Sequence, residues 1–158
     1  MKLRVARNKD GMKIINLIRK CFNDYPNCYL DVKNDAPELE YIYTYFKNKK
    51  GKFWVYEENM RIIGCMGISP TQKGELEIHK LYINKENRRR GLANKLIKKA
   101  EIYAHLHHLK KITLWTDTRF KEAHIMYKNL KYKKMKNTRK LFDVSNTTEY
   151  RFEKKLLS

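Results

Sequence analysis

Residues 75–109 join an alternating segment to a long amphipathic one through a turn of three arginines and a glycine, and this unit limits the possible folds most. The stretch ELEIHKLYI, Glu75 to Ile83, alternates as a strand does. The stretch LANKLIKKAEIYAHLHHL, Leu92 to about Leu109, carries apolar side chains at helical spacing. Arg88-Arg89-Arg90-Gly91 connects them. A glycine and a small residue at the mouth of a helix leave backbone N–H groups bare. Those donors and the positive end of the helix dipole suit a phosphate or pyrophosphate. Gly91 lets the turn form and lets a ligand approach the backbone, and arginines pair well with phosphate oxygens. Without context, the motif fits an ordinary strand-to-helix loop with a solvated basic face equally well.

The rest of the chain supplies further elements. Leu3 to Ala6 reads as a strand, and Gly11 to Phe22 as a helix with Ile14, Leu17, Ile18 and Cys21 on one side. Asp35 is placed to cap a second helix, with Pro37 in its first turn and Leu39, Ile42, Tyr43 and Phe46 as its buried stripe. Phe53 to Glu57 and Arg61 to Ser69 read as paired strands, and Ile112 to Thr116 as another. Phe120 to Leu130 reads as a helix with Ala123, Met126, Tyr127 and Leu130 on one side. Two closing strands, near Tyr132 to Arg139 and Thr147 to Phe152, flank a polar turn. The order is β-α-α-β-β-β-α-β-α-β-β. A mixed sheet of six to seven strands with helices on both faces, an α/β fold, buries all these stripes.

The chain has 158 residues, of which 42% are hydrophobic, so one domain spanning 1–158 is expected. The longest apolar run, Ile62 to Ile68, is too short to span a membrane. The N-terminus lacks the apolar stretch of a signal peptide. Cys21, Cys28 and Cys65 have no metal spacing, and an odd count without a secretion signal predicts reduced thiols in the cytoplasm. The formal net charge is +19. Basic and acidic side chains number 13 and 8 in residues 1–70, 20 and 6 in residues 71–140, and 3 and 3 in residues 141–158. The excess therefore gathers around the proposed phosphate loop, where it raises the local concentration of a polyanion.

The segment LYINKENRRRGLANKLI resembles the acyl-CoA signature of the GNAT superfamily of N-acyltransferases, Arg/Gln-x-x-Gly-x-Gly/Ala, with Arg88, Gly91 and Ala93 at its fixed positions. Downstream, AHIMYKNLKY resembles the second family signature, with Ala123 and Tyr127 matching. The chain departs from the family at Phe120, where Asn is common, and at Lys131, where Gly is common. The resemblance implies the GNAT fold and acetyl-CoA as co-substrate, with no metal. It implies backbone contacts to the cofactor from Arg88, Arg89, Arg90, Gly91, Leu92 and Ala93, a contact at Ala123, and pantetheine pairing with the strand near Leu81, Tyr82 and Ile83. The pantetheine arm would lie between the Glu75–Ile83 and Ile112–Thr116 strands. The expected acceptor is a primary amine attacking directly in a ternary complex, and the expected state is a monomer or homodimer.

Acyl transfer to an amine needs a neutral amine, a polarised carbonyl, aligned reactants and a protonated leaving thiolate. Tyr127 matches the family position whose hydroxyl protonates that thiolate; its alternative is a core tyrosine. Glu77 matches the catalytic glutamate of the histone-acetylating branch, eleven residues before Arg88. His79 shares its strand face and is the rival base; water is the third option. Arg119 reads as a helix N-terminal residue or as a substitute for the missing Asn contact.

The rival class is a basic nucleic-acid- or ribosome-binding module without catalysis. Such a module presents exposed aromatics among basic residues on one sheet face. Trp54, Tyr56 and Trp115 fall in apolar strand patterns and are expected to be buried, so neither a nucleic-acid partner nor a membrane is expected. Against the basic background stands an acidic segment, with Asp24, Asp31, Asp35, Glu38 and Glu40 around Lys33. By the resemblance, this segment forms one wall of the acceptor pocket and favours a cationic amine.

Overall fold

The computed structural model describes residues 1–157. Seven strands form one sheet: β1 (Lys2–Val5), β2 (Lys52–Glu58), β3 (Arg61–Pro70), β4 (Leu76–Ile83), β5 (Lys111–Asp117), β6 (Lys133–Lys140) and β7 (Thr148–Lys155). Their spatial order is β1-β2-β3-β4-β5-β7-β6. All neighbours pair antiparallel except β4 and β5, which are parallel. Helices α1 (Gly11–Phe22), α2 (Val32–Asp35) and α3 (Ile42–Asn48) precede β2; α4 (Leu92–Leu106) joins β4 to β5, and α5 (Lys121–Asn129) joins β5 to β6. One core cluster packs Ile14, Leu17, Ile18, Ile42 and Phe46 against Phe53, Val55 and Cys65. The other packs Leu92, Leu96, Ile97, Ala100 and Tyr127 against Met66, Leu76, Ile78, Ile112, Leu114 and Phe152. The alternation of β2 to β5 thus feeds two layers, and helices cover both faces.

The region between α1 and β2 differs from expectation. Asp31, not Asp35, is the cap: its carboxylate accepts from Asn34 N at 3.2 Å, and Asp35 ends the single turn of α2. Ala36, at φ −151° and ψ 53°, leaves the helical region before the proline that follows it and breaks the helix. Pro37 then opens a 3₁₀ turn to Tyr41, and α3 begins only at Ile42. Leu39, Ile42 and Phe46 are buried as expected, but Tyr43 is exposed, because the shorter helix turns it outward. Trp115 is half-buried, not buried. Its face of the sheet is left uncovered by α1 and α3, and the guanidinium groups of Arg139 (4.5 Å) and Arg151 (5.4 Å) lie near its ring.

Pairing between β4 and β5 is short. It joins Leu76, Glu77 and Ile78 to Ile112, Thr113 and Leu114 and goes no further. A bulge against β3 follows, since Cys65 faces Tyr82 while Gly67 faces His79. Lys80 sits in it with φ 50°, its carbonyl accepting from Cys65 Sγ at 3.2 Å and its ammonium 2.8 Å from Glu38. The extra residue bends β4 away from β5, and the two strands part at the centre of the sheet.

Candidate active site

Two cavities open where β4 and β5 part. One, of about 310 Å³, is lined by Leu81, Tyr82, Ile83, Arg88, Arg89, Gly91, Leu92 and Ala93. The other, of about 330 Å³, is lined by Glu77, His79, Trp115, Asp117, Arg139 and Glu149 among others. Leu81, Tyr82, Phe120, Ala123 and Tyr127 belong to both walls, so the cavities meet at those five residues.

The first cavity is built for an anion. Gly91 caps α4 at φ 73°, in the left-handed region, and a Cβ there would meet nothing within 4 Å. Gly91 lines the cavity with open space beside its Cα, so a ligand can reach the main chain. Lys95 N closes the first turn on Gly91 O at 3.1 Å, which leaves the N–H groups of Leu92, Ala93 and Asn94 without an intrahelical acceptor. The arginines divide. Arg88 is a strap: Nε donates to Ile83 O at 3.0 Å, and its other nitrogens face Asp24 (3.4 Å) and Glu122 (3.7 Å). Arg90 lies 3.5 Å from Glu58. Arg89 makes no ion pair among the described residues and is exposed beside the α4 N-terminus. Arg90 does not line the cavity, although the sequence grouped it with the other two.

Phe120, which stands where the family has Asn, packs on Tyr25 (4.7 Å), Phe22 (6.1 Å) and Tyr82 (6.4 Å). An aromatic cluster thus spans α1, β4 and α5 over the junction and offers an apolar wall in place of an amide. Tyr127 projects to the same junction and is 5% exposed. Its ring packs on Tyr132 and Phe152 at 5.9 and 5.6 Å. Burial alone raises its phenol well above the ordinary value, so it keeps its proton at neutral pH.

Glu77 and His79 share a strand face, as the alternation requires, with 4.0 Å between Oε2 and Nε2. His79 Nε2 shares a 2.9 Å hydrogen bond with Ser69 Oγ, and its ring packs on Phe46. Burial, helped by Lys80, Lys49 and Arg139, pushes its imidazole down to about 3. At neutral pH it is uncharged and a very weak base. Burial raises the Glu77 carboxyl, partly offset by Arg139, Arg151 and Lys49. Of the two candidates, the Glu77 carboxylate is therefore the stronger base.

The acidic wall comes from other residues than the local sequence indicated. Of the segment's five carboxylates, only Asp35 lines the second cavity. Asp31 caps α2, Asp24 holds Arg88, Glu38 holds Lys80, and Glu40 is exposed outside the cavity lining. Asp35 is joined by Glu77, Asp117, Asp143 and Glu149, five carboxylates against Lys80 and Arg139. Glu149 pairs with Arg139 at 2.6 Å. Asp117 is gripped by Arg119, through Nε at 2.9 Å and a second nitrogen at 2.7 Å. Arg119 also donates to Asn27 O at 2.8 Å and to Thr147 Oγ1 at 3.2 Å. It is thus a strut between three segments and lines neither cavity, which only the fold could reveal. The guanidinium groups of Arg139 and Arg151 lie against the Trp115 ring, and Trp54 and Tyr56 are buried as expected.

Among the described residues, no group of three or more His, Cys, Asp and Glu is placed to hold a metal ion, and no helix is long and apolar enough to cross a membrane. Residues 14–132 match the model of the acetyltransferase (GNAT) family. A probable N-acetyltransferase 14 of Xenopus tropicalis is 32% identical over 101 residues, covering 62% of this chain and 48% of that protein. The chain thus spans about half the length of the curated relatives it matches. The crystal structure of a GNAT-family acetyltransferase from Staphylococcus aureus Mu50 superposes with a TM-score of 0.84 at 21% identity, covering 99% of each chain. PaiA N-acetyltransferase from Thermoplasma acidophilum, solved in complex with coenzyme A, superposes with a TM-score of 0.77 at 16% identity, covering 98% of each.

Proposed function

The chain belongs to the acetyltransferase (GNAT) family, and from that premise we propose that it transfers an acetyl group from acetyl-CoA to a primary amine by direct attack in a ternary complex. The observation that carries this reading is the meeting of the two cavities at Leu81, Tyr82, Phe120, Ala123 and Tyr127. A donor held by the α4 N-terminus and an acceptor held beside Glu77 would face each other there. The diphosphate of acetyl-CoA suits the bare amides of Leu92, Ala93 and Asn94, with Arg89 adding charge. The unpaired edge of β4 at Leu81, Tyr82 and Ile83 would align the pantetheine arm, and a freed strand N–H would polarise the thioester carbonyl. Glu77, directly or through a water, accepts the proton lost by the amine. As the C–N bond forms and the C–S bond breaks, Tyr127 donates its hydroxyl proton to the departing sulfur. The lining of the second cavity, acidic on balance, favours an acceptor with cationic character.

A cytoplasmic location fits the three buried free thiols, Cys21, Cys28 and Cys65, and residues 1–158 are read as one domain acting as a monomer or homodimer. The test is release of free CoA from acetyl-CoA across a broad amine screen, with the acetylated product identified by mass. Amine-dependent release is expected. Tight acetyl-CoA binding with no release on any amine would refute transfer.

A further inference from the structure

A second positive patch lies at the end of the sheet away from Gly91. Strand register sets its parts side by side: Lys52 pairs with Ile68, Pro70 with Leu76, and Leu76 with Ile112. The turn after α3, the β3–β4 turn and the α4–β5 connection therefore adjoin one another. Tyr103 Oη, on α4, donates to Lys50 O at 2.6 Å and ties the last turn of that helix to them. Lys47, Lys49, Lys50, Lys52, Lys73 and Lys110 are exposed here, and none forms an ion pair among the described residues. The carboxylates nearby are largely neutralised. Glu75 faces Lys111 at 2.6 Å and Arg151 at 3.3 Å, and Glu38 faces Lys80 at 2.8 Å, which leaves Glu40. None of the exposed lysines lines either cavity, so binding of acetyl-CoA does not account for them.

Aromatic rings stand among these cations. Tyr41 and Tyr43 are 44% and 42% exposed. Tyr45 is half-buried and meets Tyr41 edge to face at 6.1 Å. Lys47 Nζ lies 5.7 Å from the Tyr43 ring centre, and Lys49 Nζ lies 4.8 Å from that of Tyr45. On α4 the exposed His107 stacks on Tyr103 at 4.0 Å. The buried strand aromatics Trp54 and Tyr56 argue against a nucleic-acid platform on the sheet; the exposed rings are on helices instead, and Tyr43 is among them because α3 starts late.

We infer that this end of the sheet is a binding surface for single-stranded nucleic acid, with phosphates on the lysines and bases on Tyr41 and Tyr43. Lysines that only keep a chain soluble need no aromatic neighbours. A single strand uses both groups, cations for its phosphates and ring faces for its unpaired bases. A duplex would use the cations alone, because its base faces are already stacked. The excess of positive charge also draws a polyanion to this end. The surface is separate from the proposed transfer reaction, and each can fail without the other.

The experiment is fluorescence anisotropy of the whole chain with a labelled RNA of about 12 nucleotides, the DNA strand of the same sequence, and the RNA annealed to its complement. Polyglutamate and phosphatidylglycerol vesicles are added as competitors. Both single strands are expected to bind more tightly than the duplex, and the tighter of the two names the natural source. Affinity should fall with salt by about 0.7 log units per log unit for each phosphate neutralised. Tyr43→Ala should weaken single-strand binding about tenfold with the salt slope kept, and Tyr43→Trp should restore it. Lys47→Gln combined with Lys73→Gln should instead reduce the slope by about 1.4. Acetyl-CoA affinity by calorimetry, expected unchanged in each variant, checks that they stay folded. Duplex binding as tight as single-strand binding, an unchanged affinity in Tyr43→Ala, displacement by polyglutamate or vesicles at equal charge, or no binding at all overturns the inference.

Discussion

Gly91→Val tests the phosphate site, because the structure separates two effects of a side chain there. In the folded chain the new Cβ meets nothing within 4 Å, so its direct cost is backbone strain. A φ of 73° forced on an L-residue costs about 1–2 kcal/mol, or about 2–8 °C in Tm for a chain of this size. The second effect is on the ligand, because the valine would stand beside the amides of Leu92, Ala93 and Asn94, which the proposed site offers to a diphosphate. A hydrogen bond to a charged group is worth about 1.5–3 kcal/mol. Losing one or two would weaken CoA binding on the order of 100-fold. Gly74 is a matched control. It has φ 71°, equally open space, and a place in the β3–β4 turn outside both cavities. Calorimetric titration with CoA and thermal unfolding are run on both variants. Both should lose similar Tm, and only Gly91→Val should lose affinity. Equal affinities in the two variants would refute the backbone-donor site.

Tyr127→Phe keeps the ring packing on Tyr132 and Phe152 and removes the proton donor. Turnover should fall about 100-fold while acetyl-CoA affinity stays within about twofold; unchanged turnover returns Tyr127 to the core. Glu77→Gln should cut turnover and flatten the rise of rate with pH, yet stabilise the fold at neutral pH. Burial raises this carboxyl above its ordinary 4.5, so below 4.5 wild type and variant match, and the wild type loses stability as pH climbs through the folded value. Denaturant unfolding at several pH values checks the sign, and a variant that is less stable at pH 7 counts against it. His79 works in the opposite sense. Its imidazole, held down to about 3, contributes stability above the ordinary 6.5 that is lost as pH falls from 6.5 towards 3. His79→Gln should therefore flatten the acid limb, and an identical acid limb would show that this histidine is not the cause.

The local periodicities were enough for the sheet and most helices. Residues two apart on a strand or four apart on a helix report directly on one another, so the Glu75–Leu109 unit was legible with its loop. Asp31 and Asp35 were not resolved, because both are plausible caps and the choice depended on Pro37 acting on Ala36. Trp115 was misread for another reason: its strand is apolar on one face and flanked on the other by arginines from β6 and β7.

By itself the sequence determined the α/β layering, the strand–arginine–glycine–helix unit, the placing of Tyr127 on a helix face, and Glu77 with His79 on one strand face. Those features follow from backbone geometry over a few residues. Only the tertiary structure decided which charges meet in the second cavity. Asp35 lies beside Asp143 and Glu149 because β7 inserts between β5 and β6 and carries the β6–β7 connection back over the segment after α1. The same crossing made Arg119 a strut. It also fixed His79 as neutral, since burial and the field of Lys80, Lys49 and Arg139 come from packing that no short window of sequence contains.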